Sequence, residues 1–192
     1  YTFIIDANLS NRGKMPRFYD FGANNGNSVF CRINSSFKYG AGEKLGGGTT
    51  LMVEAASATQ PLNETVTVAV TFDAATKTTT IYANGKQVAQ GTKVTYEAWQ
   101  AAPNGNDGRN YIGRTQWWDN NSDNGDVVGT LDNFRLYDIA LTAEEIANVT
   151  SDIKACTKPL TDSSALYSIN GIRLETEPSR GMFIKSGKKM IK

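Results

Sequence analysis

The densest run of chemically capable side chains is Gln116-Trp117-Trp118-Asp119-Asn120-Asn121-Ser122-Asp123-Asn124-Gly125-Asp126. Asp119, Asn121 and Asp123 alternate as oxygen ligands do in calcium loops, and Asp126 can supply a fourth. The register is not that of an EF-hand, because the glycine falls one place late and position twelve is Thr130. Two readings compete: a calcium loop with Asp119, Asn121, Asp123 and Asp126 as ligands, and a solvated Asn/Asp turn without metal. Beside the acids, Trp117 and Trp118 are adjacent, so on a strand continuing from Tyr111 they point to opposite faces. One can enter the core while the other stays exposed. An exposed indole offers a flat apolar face to a sugar ring, and Arg114, Asp119 and Asn121 can hydrogen-bond its hydroxyls. Trp117, Trp118, Arg114 and Asn121 are therefore the expected ligand-binding set. The competing reading is a Trp that caps the edge of the core. Trp99, isolated in a long loop, reads as packing.

Other chemistries are narrowed by what is missing. The 192 residues contain no His, which removes Ser-His and Cys-His nucleophile pairs and His-ligated zinc or iron. Carboxylate catalysis needs two acids across a cleft, ~5 to 9 Å apart, one with a raised pKa. Glu43, Glu54, Glu64 and Glu97 stand alone near loops, and Glu144 and Glu145 belong to a helix start, so no catalytic residue is assigned. Gly46-Gly47-Gly48 lacks the Lys and Ser/Thr of a phosphate loop. A net charge of +1 with scattered Lys and Arg gives no field for nucleic acid. No run approaches the ~20 apolar residues of a membrane-spanning helix, and no basic leader precedes Tyr1. The expectation is a soluble chain whose leader is gone.

The elements that would position these residues are mostly strands. Val66, Val68, Val70 and Phe72 alternate with Thr65, Thr67, Ala69 and Thr71, the period of a half-buried strand. A second strand over 78–83 meets Asn84-Gly85, the pair favoured in type I′ hairpin turns, and 86–90 returns antiparallel. That register sets Ala83 opposite Lys86 and Ile81 opposite Val88. Closing the preceding loop over 74–77 sets Val70 opposite Ile81 and Val68 opposite Ala83. Further strands are expected over 1–7, 17–21, 28–33, 50–53, 110–114 and 127–137 between Gly- and Asn-rich turns. The one convincing helix is 143–149, where Thr142 and Glu145 form a capping box. Many short strands with irregular loops predict an all-β antiparallel sandwich over residues 1–152.

Residues 153–164 run polar and read as a linker. Residues 165–192 carry six Lys/Arg against two Asp/Glu, a net of +4, leaving −3 for the rest of a chain whose total is +1. Short strands are expected there over 165–169, 173–175, 182–185 and 189–191. Too small to fold alone, this tail should dock on the main body or stay mobile. Cys31 and Cys156 can form a disulfide or remain two buried thiols.

Three segments in order resemble the LamG-like jelly-roll family of concanavalin A-type sandwiches. They are Val68-Ala69-Val70-Thr71-Phe72 leading to Ile81-Tyr82-Ala83-Asn84-Gly85-Lys86, then Tyr111-Ile112-Gly113-Arg114, then Gly129-Thr130-Leu131-Asp132-Asn133-Phe134-Arg135-Leu136-Tyr137 followed by Leu141-Thr142-Ala143-Glu144-Glu145-Ile146. The likeness spans roughly residues 1 to 150 and implies a concanavalin A-like jelly roll of two antiparallel sheets. Such relatives usually carry one strand before the segment matching 1–7; the expectation is either that the chain has been trimmed there or that another segment, with the basic tail as a candidate, fills that edge. Calcium sites are frequent in the family, and Asp132 is expected in a structural hydrogen bond or a metal contact. Catalytic relatives carry a Glu-x-Asp-x-x-Glu strand that this sequence lacks. The tail, from Leu166-Tyr167-Ser168-Ile169-Asn170-Gly171-Ile172-Arg173 through Gly181-Met182-Phe183-Ile184 to Gly187-Lys188-Lys189, resembles the C-terminal sorting sequences of type IX secretion in Gram-negative surface proteins. That resemblance implies export across the outer membrane to the cell surface or medium.

The leading expectation is a non-catalytic glycan- or polysaccharide-binding module of an exported bacterial protein, with calcium as its only candidate cofactor. A structural or protein-binding module of a surface protein is the alternative, and a carboxylate-based glycoside hydrolase the third.

Overall fold

The computed structural model describes residues 1–11, 13–24, 27–44, 50–94, 109–116, 125–156, 166–168, 173–174, 176–178, 182–185 and 188–191. Two compact units divide the chain, residues 1–150 and 151–192.

In the first unit the strands are β1 (Thr2–Leu9), β2 (Arg17–Asn24), β3 (Asn27–Ile33), β4 (Lys38–Lys44), β5 (Leu51–Thr59), β6 (Thr65–Asp73), β7 (Thr78–Ala83), β8 (Lys86–Gly91), β9 (Arg109–Ile112) and β10 (Gly129–Tyr137). They form two five-stranded antiparallel sheets, ordered β10-β1-β6-β7-β8 and β5-β4-β3-β2-β9, as a concanavalin A-like jelly roll requires. Period-2 alternation fills the space between them. Phe3, Ile5, Ala7 and Leu9 of β1 meet Val66, Val68 and Val70 of β6, and Tyr19, Cys31, Ile33, Tyr39 and Ala41 come from the facing sheet. A helix, α1 (Ala143–Cys156), packs Ile146 on the other face of the first sheet, against Ile4, Ala69 and Tyr82.

The hairpin expectations hold in detail. Val70 faces Ile81, Val68 faces Ala83, and Ala83 faces Lys86. Asn84 and Gly85 take the left-handed conformations of a type I′ turn, at φ 51° and 77°. The Asn84 Oδ1 accepts the Thr67 N–H at 3.0 Å, clipping the turn to β6. One pairing differs. A bulge between Ile81 and Tyr82 places Ile81 opposite Ala89 rather than Val88, and Val88 packs on the core as the extra residue.

The capping box forms: the Thr142 Oγ1 accepts the Glu145 N–H at 3.3 Å, and the Glu145 carboxylate accepts the Thr142 N–H at 2.7 Å. The helix runs past the expected Val149 to Cys156, so residues 153–156 are helical rather than linker. Several strands differ from expectation: β1 and β2 run to Leu9 and Asn24, β9 stops at Ile112, and β10 starts at Gly129. β4 was not anticipated, because Gly40 and Gly42 dilute its strand pattern, and β5 continues from Val53 to Thr59. Cys31 is a free thiol within the core, and burial pushes its pKa up to about 12.

In the second unit, β11 (Leu166–Ser168), β12 (Arg173–Leu174), β13 (Met182–Lys185) and β14 (Lys188–Ile191) pair with one another in the order β12-β11-β13-β14. In the first unit β1 lies between β10 and β6. No helix among the described residues is long and apolar enough to cross a membrane.

Candidate functional site

The register of the second sheet lays two rows of side chains across its outer face, away from the core. Met52, Gly42, Phe30, Asp20 and Tyr111 are successive partners along one row. Glu54, Gly40, Arg32 and Arg17 form the other. The glycines give this face its floor. A Cβ on Gly42 would lie 2.4 Å from the Leu51 carbonyl oxygen, and one on Gly40 would lie 2.8 Å from the Met52 Cε. With hydrogens at both positions, Met52 and Arg32 lie down on the sheet rather than standing off it.

At the centre is a buried ion pair. The Arg17 guanidinium stands 3.3 Å from the Asp20 carboxylate, with both residues no more than 2% exposed. Burial drives the Arg17 pKa down to about 10; Asp20 opposes that shift and the neighbouring Arg32 adds to it. Burial likewise raises the Asp20 carboxyl above its usual value, against the pull of Arg17 and of its hydrogen bonds. The Arg17 guanidinium also stacks 3.8 Å from the centroid of the Phe30 ring.

The same pair holds both ends of the Trp- and Asp-rich segment. At one end the Gln116 N–H donates to the Asp20 carboxylate at 2.9 Å, the Thr115 hydroxyl donates to it at 3.4 Å, and the Gln116 side-chain amide reaches the Asp20 carbonyl at 3.3 Å. At the other end the Arg17 N–H donates to the Gly125 carbonyl at 2.9 Å. Gly125 sits at φ 90°, where a Cβ would lie 2.9 Å from Thr115. The closure therefore depends on a glycine at this point.

Of the expected site residues, Arg114 and Asp126 are described. Arg114 is half-buried, with its guanidinium 5.2 Å from the centroid of the Tyr111 ring on the outer face, and Asp126 is exposed. Trp117, Trp118, Asp119, Asn121 and Asp123 lie outside the described residues, as does Trp99. β9 ends at Ile112 and the chain turns at Gly113, φ 73°, so the strand alternation invoked for the two tryptophans does not extend to residue 116. Asp132 serves a local role, accepting the Asn133 N–H at 2.7 Å where Asn133 takes φ 51°. Among the described residues, no group of three His, Cys, Asp or Glu is arranged to hold a metal ion. Glu43 and Glu54 lie in strands rather than near loops, on opposite faces of the second sheet. Glu43 pairs with Leu51 on the core side and is fully buried; Glu54 is exposed on the outer face.

Sequence reasoning missed Arg17, Asp20, Phe30, Arg32 and Met52. Their signal was faint, the charged residues Arg17 and Asp20 flanking Phe18-Tyr19 in an otherwise apolar strand. A second polar surface exists on the outer face of the first sheet, an open groove of about 320 Å³ lined by Thr71, Thr78, Thr80, Tyr82 and Gln90 among others.

Residues 5–147 match the Laminin_G_3 family, described as the concanavalin A-like lectin/glucanases superfamily. The chain belongs to this family. No curated protein sequence matches it. Among solved structures, the Laminin_G_3 chain is similar to the native heptameric SAP-like pentraxin of Limulus polyphemus, at 15% identity and a TM-score of 0.58, covering 99% of this chain and 81% of that one. It is similar to the CBM40 of the Ruminococcus gnavus IT-sialidase, at 19% identity and a TM-score of 0.57, over 78% of this chain and 81% of that one. A leech intramolecular trans-sialidase gives 20% identity and a TM-score of 0.60, with 78% of this chain matching 23% of that enzyme. At these identities the likeness is one of fold.

Removing one member of a buried ion pair leaves the other charge uncompensated, at a cost of about 3–5 kcal/mol. Asp20→Asn is expected to lower the unfolding free energy of the Laminin_G_3 domain by that amount in urea titrations. A loss under about 1 kcal/mol would show that the pair is not what holds this face together.

Proposed function

We propose that the chain is a non-catalytic carbohydrate-binding module of an exported protein, with its glycan site on the outer face of the second sheet and the adjoining 116–126 segment. The observation that carries this reading is the placement of Arg32 and Tyr111 on one sheet face, with the Arg114 guanidinium by the Tyr111 ring and both ends of a Trp- and Asp-rich segment fastened to the Arg17–Asp20 pair of that face. Aromatic faces stack on sugar rings, and guanidinium groups supply hydrogen bonds in a fixed fork. The similarity to a carbohydrate-binding module solved with α2,3-sialyllactose supports the same reading at the level of fold. Calcium, held by Asp119, Asn121, Asp123 and Asp126, would fix the shape of the segment; those residues supply the oxygen ligands that calcium takes.

Shallow sites of stacking plus a few hydrogen bonds bind in the micromolar to millimolar range, about −8 to −4 kcal/mol. On a broad glycan array the chain is expected to retain at least one glycan, and Trp117→Ala with Trp118→Ala to abolish that retention. Chelator is expected to weaken the retention if calcium shapes the segment. Retention unchanged by both substitutions would move the site off the segment.

A second reading has its own observation. Ile112 at the end of β9 and Phe134 and Leu136 of β10 belong to edge strands and point toward the core side, yet are 43%, 42% and 56% exposed. Exposed apolar side chains on two edge strands, each without a further strand partner among the described residues, fit a module that holds a neighbouring protein. Silence of the wild-type chain on every glycan would transfer the proposal to this surface.

Export is proposed from the tail, whose sequence resembles a type IX sorting signal. In a bacterium with that machinery, deletion of residues 165–192 is expected to strand the protein in the periplasm. Unchanged surface delivery would refute the assignment.

A further inference from the structure

Arg32 occupies an unusual position on the proposed face. It stands beside Arg17 across the β2–β3 pairing, so two guanidinium groups share one neighbourhood. Asp20 is engaged by Arg17, at 3.3 Å. Arg32 has no carboxylate within ion-pair distance among the described residues; the Glu54 charge in the same row acts on it without a direct contact. Its Nη1 donates to the Met15 Sδ at 3.3 Å, and its Nη2 to the Met52 Sδ at 3.2 Å. Its Nε is buried without an acceptor. Thioether sulfur is a weak acceptor, and a buried N–H left unpaired is costly, so the strongest donor set on this face is spent on its poorest partners.

The methionines are placed as covers that can move. Met is unbranched with three rotatable bonds, so either side chain can vacate its place at small cost. Met15 is 36% exposed. Its backbone is held at φ 52° immediately before Pro16, a conformation that both a side chain and a following proline disfavour. Strain of this kind persists where the surrounding structure enforces it, and it gathers at binding sites. Here it sets the Met15 sulfur on Arg32, next to the Gly125 end of the fastened segment, where a Cβ on Gly125 would meet the Met15 carbonyl oxygen at 3.2 Å.

We propose that Arg32 is an anion receptor, and that the glycan recognised on this face is acidic, presenting a sugar carboxylate that takes the place of the Met15 and Met52 sulfurs on the guanidinium. A planar carboxylate matches the guanidinium fork in two parallel hydrogen bonds, which a neutral hydroxyl cannot do. This inference rests on the reading of the chain as a glycan-binding module and sharpens it to a substrate class.

The test titrates the 192-residue chain with a glucuronate-containing oligosaccharide and a sialylated oligosaccharide, each beside its carboxyl-reduced form, and with a sulfated galactan oligosaccharide. At least one carboxylate form is expected to bind about tenfold or more tightly than its reduced form, and the two carboxylate arms distinguish a uronate from a sialate. Arg32→Gln is expected to erase that difference, while Arg32→Lys keeps the charge and loses the paired geometry, retaining part of it. Circular dichroism and melting confirm that each variant is folded; if Arg32→Gln fails to fold, the wild-type comparison and Arg32→Lys still decide. Equal binding of carboxylate and reduced forms would overturn the proposal and leave the glycan reading standing, as would a preference that survives Arg32→Gln. Tightest binding of the sulfated galactan would overturn the carboxylate assignment. Failure of every glycan, neutral or acidic, would remove the glycan reading and this inference with it.

Discussion

The Arg17–Asp20 pair is the constraint on which the candidate site depends. Two opposite charges buried this deeply repay their desolvation only when geometry and additional hydrogen bonds are good, and Asp20 collects those bonds from Thr115 and Gln116. The partners that make the burial tolerable are the residues at which the Trp- and Asp-rich segment leaves the sheet. Arg17 supplies the return anchor through its backbone N–H to Gly125. A pair that is a marginal contributor to stability in its own right thus acts as a clasp, fixing the positions of Gln116 and Gly125 at the two ends of the Trp- and Asp-rich segment. Buried ionic groups used for specificity of arrangement rather than for raw stability are a known role, and here the arrangement is that of the segment.

Around the clasp, glycines leave room for neighbouring side chains to lie close to the sheet. Gly40 and Gly42 in β4 weaken strand propensity but lower the floor, so that Met52 and Arg32 lie across it. The face is consequently neither a polar solvated surface nor an apolar one. It alternates guanidinium, aromatic ring and thioether, the mixture through which a protein reads a partly apolar, hydroxyl-bearing ligand. The opposite sheet uses its outer face differently, covering Ile4, Ala69 and Tyr82 with Ile146 of α1. On the second sheet the outer-face residues Arg17, Asp20 and Phe30 are buried, while Glu54 on the same face is exposed.

Most of the fold was legible in the sequence because its signals are local. The alternation of Val66, Val68, Val70 and Phe72, the Asn84-Gly85 turn and the Thr142–Glu145 capping box each specify a conformation within a few residues, and all three form. What escaped was non-local. The bulge that moves Ile81 onto Ala89 lies within the strand pair, beyond the two-residue turn that the local signal specifies. β4 hid behind glycines whose purpose is visible only once Leu51 and Met52 lie against them. The candidate site was half legible. A dense run such as Trp117 through Asp126 stands out in one dimension, whereas Arg17, Phe30, Arg32 and Met52 meet only through strand pairing, with no spacing rule to announce them.

On the proposed reading, ligand binds the outer face of the second sheet around this clasp. The most direct measurement is a nuclear magnetic resonance titration of isotope-labelled protein with a retained glycan, following backbone amides and arginine side-chain N–H signals together. The account predicts shifts concentrated at Arg32, Tyr111, Arg114, Gln116 and Gly125, with the Arg32 Nε–H among the largest. Shifts gathered instead at Thr71, Thr80, Tyr82 and Gln90, in the groove on the first sheet, would contradict it.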